Sequence, residues 1–76
     1  MNPKLPVVTG KELARIVVKL GFEFRRQKGS HAVYVHPLDK SRVVIPMHVG
    51  VTIKPKTLRA IIQDLKLTVE GFTALL

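Results

Sequence analysis

Apolar residues first fall into a helical rhythm at Leu13, Ile16, Val17 and Leu20. That spacing of i, i+3, i+4 and i+7 gathers them into one stripe facing a core. The segment is marked at both ends, because Thr9 with Glu12 three residues on is a capping-box pair and Gly21 is a helix stop. From Phe22 the period shortens to two. "FEFRRQ" alternates with Phe22 and Phe24 on one side, "HAVYVH" is β-branched and aromatic, and "SRVVIP" is a third β-type run closed by Pro46. The links, Lys28 to Ser30 and "PLDK", leave no room for a crossover, so the three strands are expected to form an antiparallel meander. Met47 to Lys54 shows no clear period. Pro55 then opens a second helix that turns Leu58, Ile61, Ile62 and Leu65 inward. Thr68 and Glu70 mark the start of a short last helix reaching Leu75, with Gly71 inside it. The three phenylalanines, Phe22, Phe24 and Phe72, are assigned to the core.

This order predicts an α+β fold: a three-stranded antiparallel sheet, two amphipathic helices on one face of it, and a short C-terminal helix. The double-stranded RNA-binding domain has the same element order, which raises nucleic acid as a ligand, although a shared fold does not by itself give a shared function. The 76 residues hold no repeat, low-complexity tract or linker, so a single domain over 1–76 is expected. So short a chain folds with little margin, and a stabilising partner fits that expectation.

Charge narrows the partners. Thirteen Lys and Arg against five Asp and Glu give a net charge of +8, which attracts polyanions or an acidic protein without choosing between them. Lys11, Arg15 and Lys19 step by four on the outer face of the first helix, and Lys56, Arg59, Gln63 and Lys66 gather on the outer face of the second. The absence of cysteine excludes a disulfide framework and a thiolate metal site, and cytoplasmic residence is the simplest expectation. No apolar run reaches the roughly 18 residues of a membrane span, and the start "MNPKLPVVTG" lacks a signal-peptide core. No membrane association is expected.

Candidate chemistry concentrates in "RRQKGSHAVYVHP", residues 25–37. Cleaving RNA through its own 2′-hydroxyl needs a group to accept that proton, a group to protonate the leaving oxygen, and positive charge beside the crowded phosphate. His31 offers an imidazole, a side chain able to transfer protons near neutral pH. Its other reading is a polar residue at the start of an ordinary strand. Arg25, Arg26 and Lys28 suit a phosphate clamp or, equally, a charged edge strand that discourages aggregation. Ser30 can donate to a phosphate oxygen or simply shape the turn. His36, an odd number of residues beyond His31, belongs to the opposite face of a regular strand, and His48 lies in the irregular segment. Both are assigned structural or solvated roles, and Tyr34 is assigned to packing. No metal or other cofactor is expected, since the histidines lack a short ligand spacing. No carboxylate pair, Ser/His/Asp set or phosphate-cradling Gly-rich loop stands out. Alternation puts His31 on the side of Val33 and Val35, and the sequence leaves open whether that side is the covered one.

The segments "GKELARIVVKLGFEFRRQKGSHAVYVHP", "VVIPMHVG" and "IKPKTLRAIIQDLKLTVEGF" carry a resemblance over nearly the whole chain. They resemble the HicA-type toxins, small mRNA interferases of bacterial and archaeal toxin–antitoxin systems. The stretch "VGVTIKPKT" departs from that family, where the segment is often more polar. The resemblance implies a fold like the double-stranded RNA-binding domain, with the histidine after Gly29 and Ser30, His31, as the catalytic one. It also implies metal-independent cleavage of mRNA and neutralisation by a HicB-type antitoxin. His48 matches a family position without a transferred role. Two other functions stay open: a noncatalytic RNA-binding module using the first helix and the Arg25 to Lys28 turn, and a protein-interaction partner whose basic face docks an acidic chain.

Overall fold

A computed structural model of the protein describes residues 4–76, so the first three residues of the amino-terminal lead lie outside the described residues. The elements are α1 (Gly10–Lys19), β1 (Glu23–Lys28), β2 (His31–Val35), β3 (Arg42–Pro46), α2 (Pro55–Asp64) and α3 (Val69–Thr73). Their order is the one the hydrophobic pattern predicts.

Helix α1 begins on a complete capping box. The Glu12 amide donates to Thr9 Oγ1 at 3.2 Å, and the Thr9 amide donates back to Glu12 Oε1 at 2.9 Å. Hydrogen bonds from Thr9, the backbone one foremost, hold the Glu12 carboxyl below the ordinary carboxylate range. Gly10, the first helical residue, is buried because the helix starts against the end of β3. A Cβ at Gly10 would overlap the carbonyl oxygen of Pro46, so no larger residue fits this close approach. Two further ties hold the irregular segment 47–54 to the chain before α1. Ile53 donates its amide to the Val8 carbonyl at 2.8 Å, and Thr52 forms an isolated bridge with Thr9.

The sheet order is β1-β2-β3 with antiparallel pairing throughout, so β2 is central. Ala32 and Tyr34 of β2, and Val43 and Ile45 of β3, face the helices and join a core that includes Leu13, Val17, Leu58 and Phe72. Period-two alternation sends His31, Val33 and Val35 to the other face, together with Arg42, Val44 and Pro46 of β3. That face carries no helix. The question the sequence leaves open about His31 is therefore resolved in favour of the uncovered side.

Two expectations need correction. Phe24 is not in the core: it is 56% exposed and lies edge-on to Tyr34 with ring centroids 5.6 Å apart. Its strand β1 is an edge, all six residues of which are exposed. Lys28 belongs to β1, which shortens the first link to Gly29 and Ser30. Leu65 caps α2 and packs half-buried against the core beside the buried Leu58, Ile61 and Ile62, as expected. Among the described residues no helix is long and apolar enough to cross a membrane.

Candidate active site

His31 opens β2 immediately after the two-residue turn formed by Gly29 and Ser30. Gly29 has φ 59° while Ser30 has an ordinary negative-side φ, the pattern of a type II′ hairpin turn with glycine at its first central position. Open space surrounds the point where a Gly29 Cβ would sit, so the backbone angle, not crowding, calls for glycine there. In register His31 stands between Lys28 of β1 and Pro46 of β3. The Ser30 carbonyl accepts the Met47 amide, which fastens the turn to the chain leaving β3. A fixed backbone thus presents an exposed imidazole.

The helix-free face carries a shallow groove of about 550 Å³ lined by Arg26, Lys28, Gly29, His31, Val33, Arg42 and Val44. Lys28 is the cross-strand partner of His31, and Arg26 is the partner of Val33. Direct partners hold their Cβ atoms about 5 Å apart. Val33 is 7% exposed without any helix above it, so the side chains standing around it cover it. Among the described residues no Lys or Arg has a carboxylate within 4.0 Å, so Arg26, Lys28 and Arg42 stand without one. Three unneutralised cations along one face repel one another and favour anions between them.

The structure gathers only part of the candidate set in that groove. Arg26, Lys28 and His31 meet there. Arg25 sits at the β-bulge between Phe24 and Arg26, out of the ladder, and Ser30 contributes its carbonyl to the turn while not lining the groove. Lys11, Arg15 and Lys19 are exposed on α1, where with Val18 and Tyr34 they border a second hollow of about 430 Å³ on the helix side of the sheet. They lie on the opposite layer from His31, and one contact point does not span both.

The other two histidines are elsewhere. His36 Nδ1 accepts the Leu38 amide at 3.2 Å and lies 3.8 Å from Asp39 Oδ1, and its ring stands edge-on to Phe22 with centroids 5.1 Å apart. The hydroxyl of Ser41, followed by its amide, holds Asp39 below the ordinary carboxylate range. His48 is exposed and borders a hollow with Pro46, Val51 and Lys54, not the groove of His31. Tyr34 is buried on the helix side, as packing requires. Among the described residues no three His, Cys, Asp or Glu side chains are grouped as ligands for a metal ion.

Arg42 is the residue that sequence reasoning missed. It begins the third β-type run and shares parity with Val44 and Pro46, so the signal that finds it is the β2 to β3 register. Taken together, the groove can bind an anionic backbone, shield a charged phosphate and exchange a proton through one imidazole.

No curated protein matches the chain. Residues 10–67 match the HicA toxins of bacterial toxin–antitoxin systems, a span that runs from the first residue of α1 to just past α2. That span includes every residue lining the groove and most of the core around it, and on this ground the chain belongs to the HicA toxin family.

Proposed function

We propose that the chain is a metal-independent endoribonuclease that acts on mRNA in the cytoplasm, with His31 as its acid/base, and that a HicB-type antitoxin neutralises it. One observation carries this reading: an exposed imidazole shares a groove with Arg26, Lys28 and Arg42, none of which has a carboxylate partner. His31 takes the proton from a ribose 2′-hydroxyl, and the freed oxygen attacks the adjacent phosphorus. The bond to the 5′-oxygen breaks, leaving a 2′,3′-cyclic phosphate on one fragment and a 5′-hydroxyl on the other. Lys28 stabilises the extra charge on the reacting phosphate, and Arg26 pairs with the neighbouring phosphate by two parallel hydrogen bonds. The groove lining offers no second imidazole or carboxyl, so the leaving oxygen takes its proton from water and turnover is modest.

Lys11, Arg15 and Lys19 act at a distance under this reading. Their charge draws RNA toward the protein and speeds encounter, an effect that fades with salt. The same basic surface suits an acidic antitoxin. Purified protein incubated with mRNA in excess chelator is expected to give fragments with cyclic phosphate and 5′-hydroxyl ends at an undiminished rate. Cleavage that stops on chelation, or leaves 5′-phosphate ends, contradicts the mechanism.

A further inference from the structure

Arg42 is the groove cation set farthest from His31 along the strands. The cross-strand register divides the helix-free face into three rows: Lys28, His31 and Pro46; then Arg26, Val33 and Val44; then Glu23, Val35 and Arg42. Same-face rows on a sheet lie about 7 Å apart, twice the antiparallel rise per residue. Each row holds one cation besides the imidazole, and the steps between rows are comparable to the separation of neighbouring phosphates along a stretched single strand. The floor between them includes the exposed apolar side chain of Val44, placed where a base or ribose would rest.

Glu23 sets the direction of the third step. It stands on β1 in the same row as Arg42 on β3, exposed and on the same face. An anionic strand that passes Lys28 and Arg26 on the β1 side is therefore repelled from β1 in the last row and drawn across to β3. A duplex requires a second line of cations, and Glu23 occupies the place where that line would continue.

Resting on the reading of this groove as the RNA-cleaving site, we infer that it is a track for single-stranded RNA three phosphates long. The scissile phosphate lies in the His31 and Lys28 row, the next at Arg26, and the third at Arg42. Arg42 is a positioning residue: it holds the strand two phosphates from the reacting bond and does not touch that bond.

The test uses 2′-O-methyl oligouridylates, which resist cleavage, containing one to four phosphates and titrated into the full chain with backbone amide NMR as readout. Affinity for the wild type rises up to three phosphates and then levels. Arg42→Gln, at an exposed position, binds one- and two-phosphate ligands like wild type and loses roughly tenfold with three, one charge-assisted contact's worth. Its plot of log affinity against log salt becomes shallower by about 0.7, the single-strand value for one phosphate. Glu23→Gln tightens only the ligands with three or more phosphates. Equal weakening by Arg42→Gln at every length overturns the track, as does no weakening at any length or tighter binding of a duplex of equal length. Because these ligands are not cleaved, failure here with RNA still cut removes the track alone, whereas intact binding with no cleavage of RNA removes the enzymatic reading alone.

Discussion

Replacing His31 by alanine is expected to lower RNA cleavage by roughly 10²–10⁴-fold, the usual contribution of a positioned general acid or base. The side chain is exposed, and its strand pairs through backbone groups that the substitution leaves in place. Stability should therefore change by no more than about 0.5 kcal/mol. Initial rates on labelled RNA, read beside thermal melts of both proteins, separate loss of chemistry from loss of fold. RNA binding should persist in the variant, because Arg26, Lys28 and Arg42 remain. The noncatalytic RNA-binding alternative expects no change in any effect of the protein on RNA when His31 is removed. Full cleavage by a folded His31→Ala protein would exclude the imidazole as the proton acceptor.

The largest expected effect on stability comes from Phe72→Ala. Phe72 lies on the five-residue helix α3, is 0% exposed and belongs to the core. Truncating a buried phenylalanine typically costs about 3–5 kcal/mol, from lost burial and the cavity left behind. Whole domains are stable by only about 5–15 kcal/mol, and small ones bury proportionately less surface, so this loss is a large share of the total. Urea denaturation should show the midpoint falling steeply, and Phe72→Leu should be much milder because it leaves a smaller void. Activity should fall with the folded fraction, unlike the loss in His31→Ala, which should occur in folded protein. A cost below about 1 kcal/mol would mean that α3 is not bound to the core as described. The residue is notable for lying after residue 67, where the match to the HicA family ends.

Local chemistry made most of the fold legible. The i, i+3, i+4 stripe of α1 needs only the helical period, and Thr9 with Glu12 needs only the three-residue reach of a capping box. Alternation likewise groups His31 with Val33 and Val35. It does not say which face the helices cover, since that depends on the core that Ala32 and Tyr34 join with α1 and α2. Phe24 departs from the core for the same reason, because alternation marks an apolar residue but not an edge strand whose residues all stay exposed. Arg42 enters the site through pairing with a residue seven positions earlier, and Lys11, Arg15 and Lys19 leave it because α1 packs on the far side. A basic residue near the catalytic candidate in sequence is not thereby near it in space. Arg25, displaced at the bulge beside Arg26, is the plainest case.

The central claim is that the imidazole of His31, in its cationic groove, removes a proton from a ribose hydroxyl. Its most direct test is cleavage by the wild-type protein of two RNAs that differ at one position, the 2′-hydroxyl next to the cut phosphate being replaced by hydrogen in the second. The mechanism requires cutting at that position to disappear while other sites in the same molecule are cut as before. An unchanged rate at the deoxy position would contradict it.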